Sequence, residues 1–236
     1  MTQDLKRLNA PKSWPVPRKN HVWVTSPNPG PHSLEGCMPL SVVLRDLLKV
    51  VDTAAEAKKA LSSKQVLVDG KVITEEKFPV GLMDVISMPV LNKHYRMLLD
   101  SRGKFILVEV AEERARWKLC RIENKTYVSG GRLQLNLHDG RNILVEDDVY
   151  KTGDVLKIEL PTQKIIEAFK MVQGNVAMVV SGSSAGQIFV VDEQIEERSS
   201  SPNLIRFKNG KLTVKDNVFV IGNKTPEIVL PEVRAA

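Results

Sequence analysis

Cysteine and histidine are scarce in this sequence, which limits the metal and redox chemistry open to it. The 236 residues include two cysteines and four histidines. Cys37 and Cys120 lie far apart and form no CxxC pair, so neither zinc-ligand spacing nor a disulfide framework is present. This usage favours a reducing compartment. We expect no metal and no other cofactor.

Long hydrophobic runs are also missing. No apolar stretch approaches the roughly 20 residues that a membrane-spanning helix needs. The first residues, MTQDLKRLNAPK, lack the apolar core of a secretory signal peptide. Hydrophobic residues nevertheless make up 42% of the chain, which is enough for a folded protein. The sequence therefore predicts a soluble, cytoplasmic protein without a membrane partner.

Motifs of nucleotide-dependent enzymes and zinc hydrolases are absent from the sequence. It contains no G-x-x-x-x-G-K-[ST], no G-x-G-x-x-G and no H-E-x-x-H. Gly182, Ser184 and Gly186 match the G-x-S-x-G of a nucleophile elbow, but an apolar strand pattern follows where the elbow needs a helix. We expect no enzymatic activity and no small-molecule substrate.

The charge balance points mildly to an anionic partner. The net charge is +6 and the isoelectric point is about 9.3. Residues 1–38 carry five basic and two acidic side chains, and residues 89–172 carry fifteen and twelve. Residues 39–88 balance at seven and seven, so any basic surface there must come from the arrangement of the charges.

Residues 1–38 are predicted to form an extended, basic, proline-rich arm. With the boundary residue Pro39 the segment holds seven prolines, which disfavour helices and ladder pairing. Tryptophans and cations alternate along it, which suits either RNA contact with stacking or packing of both tryptophans on the body. The candidate RNA-binding residues in the arm are Lys6, Arg7, Lys12, Trp14, Arg18 and Lys19.

Residues 39–90 are predicted to form a small helical module that ends in a strand pair. Leu40, Val43, Leu44, Leu47, Leu48 and Val51 make one apolar helical stripe, with Ser41 as a possible cap. Thr53 and Glu56 form a capping-box signature for a second helix to about Leu61. Asp69-Gly70 then predicts a type I′ hairpin turn.

The apolar stripe leaves several cations on the outside of this module. A solvated polar face is the commoner explanation for such residues, and a surface that follows RNA phosphates is the functional one. The candidate residues are Arg45, Lys49, Lys58, Lys59 and Lys64.

The rest of the chain reads as short strands joined by tight turns. Residues 91–172 are predicted to form a small central β domain, with one helical turn between Glu112 and Trp117. Residues 173–236 are predicted to form a further β domain in which two strands flank a glycine-containing loop at 181–186. The expected fold class is α+β and mostly β.

Two segments resemble known modules. The order helix, short helix, V-x-V-D-G-K-V and G-x-x-D-V-I resembles the alpha-L RNA-binding module. The resemblance implies an RNA-facing surface made of the five module cations named above and Lys71. Val179, Gly182, Gly186 and the strand after them resemble a KOW-type, SH3-like β barrel. The chain departs from that family at Phe189, where a glycine is usual.

The whole chain is similar to the small-subunit ribosomal protein S4e family of archaea and eukaryotes. The match runs through LKRLNAPKSW (5–14), GPHSLEGCMPL (30–40), VDGKV (68–72), GLMDVIS (81–87), WKLCRI (117–122), GNVAMV (174–179) and NVFVIG (217–222). The short tail is closer to the archaeal branch. The resemblance implies a structural, noncatalytic constituent of the small ribosomal subunit. Its implied partners are ribosomal RNA and neighbouring ribosomal proteins.

Two other functions stay open from the sequence. One is a free RNA-binding regulator or elongation factor that uses the KOW-type domain. The other is an accessory RNA-modification protein, because alpha-L modules are also appended to pseudouridine synthases; that activity would need a large catalytic domain.

Overall fold

A computed structural model describes residues 4–196 and 201–230 of the chain. Within those ranges the chain forms two compact units. The first contains the residues up to Leu98 together with Lys104–Lys118, and the second contains Leu99–Gly103 and the residues from Leu119 onward. Strands outnumber helices in both units, as the predicted α+β, mostly β fold requires. No helix in the described part of the chain is long and apolar enough to cross a membrane.

The arm is folded onto the first unit and contains a short ladder that the sequence did not predict. Strand β1 (Asp4–Lys6) pairs antiparallel with β2 (Trp23–Thr25), and a 3₁₀ turn follows β1 at Arg7–Asn9. Both strands lie outside the proline-containing stretches, so each can supply its backbone N–H groups. The expectation that the prolines would prevent ladder pairing throughout the arm was wrong for these two segments.

The first predicted helix is shorter and less regular than its apolar stripe suggested. Helix α1 spans Leu40–Val42 and continues into a π-helical turn, Val43–Leu47. Leu48 N–H donates to the Val43 carbonyl, which is the i→i−5 bond of a π turn. Ser41 lies inside the helix and makes no cap bond, because Pro39 occupies the N-cap position. The interpretation of Ser41 as a cap was wrong.

The second helix and the hairpin agree with the prediction. Helix α2 spans Ala54–Ser62, and its capping box is complete. Glu56 N–H donates to Thr53 Oγ1 at 3.2 Å, and Thr53 N–H donates to Glu56 Oε2 at 3.3 Å. Asp69 and Gly70 have φ angles of 50° and 77°, as a type I′ turn requires.

A five-stranded sheet and a strand pair complete the first unit. The pair joins β3 (Cys37–Pro39) to β6 (Pro79–Gly81). The sheet has the order β5-β4-β7-β8-β9. Its strands are β4 (Leu67–Val68), β5 (Lys71–Val72), β7 (Val85–Met88), β8 (Lys93–Leu99) and β9 (Phe105–Glu109), with a 3₁₀ turn at Pro89–Leu91 and helix α3 at Glu112–Ala115.

The second unit contains two antiparallel sheets of five strands each. The first has the order β12-β11-β10-β13-β14. Its strands are β10 (Trp117–Tyr127), β11 (Leu133–Leu137), β12 (Asn142–Val145), β13 (Val155–Glu159) and β14 (Ile165–Phe169). Inward side chains of these strands, including Ile122, Leu135 and Ile158, form one buried apolar cluster.

The last sheet has the order β18-β17-β16-β15-β19. Its strands are β15 (Val176–Val179), β16 (Ile188–Ile195), β17 (Leu204–Phe207), β18 (Leu212–Val214) and β19 (Val218–Gly222), with a 3₁₀ turn at Lys215–Asn217. The loop at 181–186 connects β15 directly to β16. A strand therefore follows Ser184, and the local structure of a nucleophile elbow is absent at this serine.

Candidate nucleic-acid interface

Five of the six predicted cations of the helical module have exposed side chains. Lys58 and Lys59 lie on the outer face of α2, opposite the buried Ala57 and Leu61. Lys49 and Lys64 follow the first and second helices and have φ angles of 53° and 57°. The exposed set is Lys49, Lys58, Lys59, Lys64 and Lys71. Each ammonium is available to an anionic partner.

Arg45, the sixth module cation, is already engaged by a neighbouring carboxylate. Its Nε and Nη2 donate to the two carboxylate oxygens of Asp46 at 2.9 and 3.0 Å. These bonds, together with the Asp46 charge and against the effect of partial burial, raise the pKa of Arg45. Asp46 also lies 3.7 Å from Arg7. Arg45 therefore presents less free charge than Lys49.

The predicted cations of the arm divide into two groups. Lys6, Lys12 and Lys19 are exposed. Arg7 is buried and donates to the Pro17 carbonyl at 2.9 Å. Arg18 donates to three carbonyl groups of the arm, those of Leu8, Ala10 and Pro11, at 2.6–3.2 Å. Arg7 and Arg18 thus hold the proline-rich backbone, whose carbonyls have few N–H partners.

The two tryptophans of the arm have opposite environments. Trp14 is 1% exposed, and its indole N–H donates to the Cys37 carbonyl at 2.7 Å. Trp23 is 55% exposed. Trp14 therefore belongs to the core, and its ring is closed to a stacking base. The sequence indicated two tryptophans among cations but carried no signal that distinguished the buried ring from the exposed one.

A groove of about 890 Å³ brings the arm and the helical module together on one surface of the first unit. Carboxylates of Asp46, Asp52 and Glu76 also line it. The basic and aromatic lining residues are Arg7, His21, Trp23, Arg45, Lys49 and Lys77. Trp23, His21 and Lys77 were absent from the predicted site. The folded arm places Trp23 and His21 next to the module, whereas Lys77 lies in the module itself, in the turn before β6.

A buried ion cluster supports the hairpin that carries Lys71. The Lys118 ammonium lies 3.0 Å from the Asp69 carboxylate and also donates to Asp84. Asp69 accepts from Val85 N–H at 2.9 Å, and Asp84 accepts from Gly81 N–H at 2.8 Å. His32 Nε2 lies 3.0 Å from Asp84. The cluster joins the hairpin turn, the β6–β7 connection and the start of β10.

The electrostatics of this cluster favour an ionised Asp84 carboxylate. Burial alone would raise the pKa of Asp84, but the charges of His32 and Lys118 and the hydrogen bonds from His32 and Gly81 outweigh it. The pKa of Asp84 consequently lies well below its usual range. Burial and the nearby Asp84 charge raise the pKa of Cys37 to about 12, so this thiol stays protonated at neutral pH.

One cluster in the second unit has side chains of the metal-ligating kinds. The ligand atoms of Cys120, His138 and Asp139 lie within 4.8 Å of one another. However, the Asp139 carboxylate accepts from the Cys120 thiol at 3.4 Å and pairs with Arg141 at 3.2 Å. His138 Nδ1 accepts from Arg121 N–H at 3.2 Å. These partners already compensate the charge and the polar atoms, so we assign no metal to the cluster.

Three family models match successive parts of the chain. The RS4NT (NUC023) domain matches residues 1–35 and the S4 domain matches residues 38–86. Ribosomal family S4e matches residues 91–165. The first two matches cover the arm and the helical module, whose side chains line the groove.

Curated relatives and a solved structure extend the similarity to almost the full length. Small ribosomal subunit protein eS4 of Methanothermobacter thermautotrophicus is 45% identical, with 96% of this chain and 95% of that protein covered. The protein of the same name from Archaeoglobus fulgidus is 44% identical, with 93% of each chain covered. The crystal structure of the 30S ribosomal protein S4e from Thermoplasma acidophilum superposes with a TM-score of 0.71 at 38% identity, covering 80% of this chain and 96% of that one. This chain therefore belongs to the ribosomal protein S4e family.

Proposed function

We propose that this protein is a structural constituent of the small ribosomal subunit, where it binds and stabilises small-subunit ribosomal RNA. The observation that carries the proposal is the similarity to proteins named small ribosomal subunit protein eS4 along nearly the whole chain. The exposed cations of an S4 domain supply a surface of the right charge. The protein acts without catalysis, in the cytoplasm, beside other ribosomal proteins.

The proposed RNA-contacting residues are the exposed members of the predicted set. They lie on the arm and on the S4 domain, and Lys49 among them lines the groove. They are Lys6, Lys12, Lys19, Lys49, Lys58, Lys59, Lys64 and Lys71. Arg7, Arg18 and Arg45 act indirectly, because their guanidinium groups hold the backbone or a carboxylate.

We also propose a role or a fold for each segment of the chain. Residues 1–38 and 39–90 bind RNA, residues 91–172 form a central β domain, and residues 173–236 form a KOW-type domain. Support for the last domain comes from its five-stranded antiparallel sheet and from the glycine loop between β15 and β16. Within that loop Ser183, Ser184 and Ala185 carry no charge, so the loop is better suited to a protein neighbour than to phosphates.

The first test is sedimentation of the tagged protein in its own cell after crosslinking, with sequencing of the RNA attached to it. We expect co-sedimentation with the small subunit in high salt and crosslinks at one site in the ribosomal RNA. Free sedimentation with scattered or messenger RNA crosslinks would instead identify a free regulator.

A second test addresses the surface itself. Lys58→Ala with Lys59→Ala should weaken binding to deproteinised small-subunit ribosomal RNA. With each lost phosphate contact, the fall of log K with log salt becomes less steep by roughly one unit. Lys164→Ala with Lys170→Ala is the matched control, since both lysines are exposed and lie around β14. Equal effects of the two pairs would contradict a specific S4-domain surface.

A further inference from the structure

Trp23 is an exposed aromatic side chain held on a fixed piece of backbone. It lies in β2 directly opposite Lys6 of β1, and both side chains are exposed. Residues paired in this way point to the same side of a ladder, with Cβ atoms about 5 Å apart. The Lys6 side chain therefore starts from the same side of the ladder as the indole ring. The neighbouring Val24 points to the other face and is buried, which anchors the strand.

The Trp23 ring faces the groove between the arm and the S4 domain. In the described part of the chain it makes no ring–ring or cation–π contact. Lys49 and Lys77 line the same groove. Asp46, one of the three acidic residues there, is already paired with Arg45 and Arg7. The groove therefore offers one free aromatic face and several cations to whatever enters it.

We infer that Trp23 stacks on an unpaired base of the bound RNA, while Lys6 and Lys49 hold the adjacent phosphates. The inference rests on the proposed ribosomal RNA binding and identifies its single-stranded component. Aromatic faces accept any base, whereas bases inside a duplex are already stacked on each other. A paired helix offers the indole ring no free base face.

The lining of the groove favours RNA over an apolar protein segment. Polar and charged side chains outnumber apolar ones among the residues that line it. Val22 and Leu8 are each 66% exposed, but neither lines the groove. An apolar partner would be expected to cover those two side chains together with Trp23. This difference makes Val22 the control residue for the test.

The test compares three full-length variants with the wild-type protein, using deproteinised small-subunit ribosomal RNA as the probe. Trp23→Ala should lower the affinity about 5- to 150-fold, the range found when a stacking aromatic is truncated. The salt dependence should not change, because no charge is removed. Trp23→Phe should restore most of the affinity, and Val22→Ala should leave it within about twofold. Thermal unfolding of each variant verifies that the fold is intact.

Tryptophan fluorescence gives an independent readout. Adding the RNA should quench part of the wild-type emission, and that part should be missing in Trp23→Phe, which retains Trp14 and Trp117. Wild-type affinity in Trp23→Ala, or an equal loss in Val22→Ala, would overturn the inference. Normal binding of Trp23→Ala to naked RNA but failure to enter assembled subunits would overturn it in favour of a protein neighbour. Failure of the wild-type protein to bind the RNA would instead refute the proposed function.

Discussion

Lys118 is a buried cation whose importance lies in the two carboxylates around it. Its side chain is 1% exposed, and those of Asp69 and Asp84 are 7% and 2% exposed. The sequence marked Asp69 only as a turn residue, and it gave no sign that Lys118 differs from other lysines. Burial of an ion pair is costly by itself, but removal of one partner costs more, because a charge is left without compensation.

Lys118→Met should therefore destabilise the protein by about 3–5 kcal/mol. The substitution keeps much of the side-chain volume and removes the charge between the two carboxylates. The measurement is the free energy of unfolding from urea denaturation. Lys93→Met is the control, since Lys93 is exposed on β8, and it should cost under about 0.5 kcal/mol. Similar losses in both variants would show that the buried cluster contributes little.

The lowered pKa of Asp84 predicts a specific dependence of stability on pH. A carboxylate whose folded pKa lies below its unfolded value near 3.8 contributes stability at higher pH. That contribution decreases as the pH falls below the unfolded value, because the unfolded chain then binds the proton more readily. Asp84→Asn should flatten the fall in stability between about pH 5 and pH 2. Asp52→Asn, at an exposed position, should leave the fall in stability unchanged. Parallel curves of stability against pH for wild type and Asp84→Asn would contradict the lowered pKa of Asp84.

At the scale of elements, predictions succeeded where a few neighbouring residues determine the backbone. The capping box of α2 depends on Thr53 and Glu56 alone, and the hairpin turn depends on Asp69 and Gly70. The prediction of short strands joined by tight turns held for the same reason, as in the pairs β11–β12 and β17–β18. In each case local chemistry and tertiary structure favour the same conformation.

Predictions failed where distant contacts decide the outcome. The apolar stripe after Leu40 has the spacing of an α-helix. The backbone instead forms a π turn at Val43–Leu47, and the helix ends before Val51. Periodicity reports which side chains are buried and not which hydrogen-bond ladder the backbone adopts. The ladder between β1 and β2 joins segments separated by a proline-rich loop, so no local pattern indicated it.

The glycine loop at 181–186 offers a test at this scale. Gly186 and Gly210 have nearly the same φ, 81° and 80°. A Cβ on Gly186 would lie 1.6 Å from the Asp100 carbonyl oxygen, whereas a Cβ on Gly210 would meet nothing within 4 Å. Gly210→Ala should cost about 1–2 kcal/mol from backbone strain alone.

Gly186→Ala carries the same strain and a backbone clash, so its cost should exceed that of Gly210→Ala by about 1–3 kcal/mol. Chemical denaturation of both variants measures the difference. Equal costs would mean that the turn at Asp100 moves away freely.

For the whole molecule, the sequence predicted an anionic partner and two segments to bind it, but not the groove in which those segments meet. Charge counts and the S4-like order of elements were sufficient to predict the partner and the two segments. The position of the groove depends on how the arm folds back. Trp14 and Trp23 differ only through that folding, as do the buried Arg7 and the exposed Lys6. Exposure is a property of the tertiary structure, so residue type alone could not assign it.

The folded arm predicts that its structural and RNA-binding roles can be separated. Deletion of residues 1–24 removes the buried Trp14 and the Ser13 carbonyl that accepts from Phe105 N–H at 2.8 Å. The deletion should lower the free energy of unfolding by at least about 3 kcal/mol, the usual cost of losing a buried tryptophan. Lys6→Ala, Lys12→Ala and Lys19→Ala together should keep that stability but weaken RNA binding. A deletion variant with wild-type stability would contradict the packing role of the arm.

The position of Lys118 also has a consequence for synthesis of the chain. Asp69 and Asp84 are made first, and their cation is the last residue of the N-terminal unit, 34 positions after Asp84 (118 − 84). At roughly 5–20 residues per second, the nascent chain carries both carboxylates for about 2–7 s before Lys118 is added. Neither carboxylate can pair with Lys118 during that interval. We therefore expect the buried ion cluster to form only after the whole first unit has been synthesised.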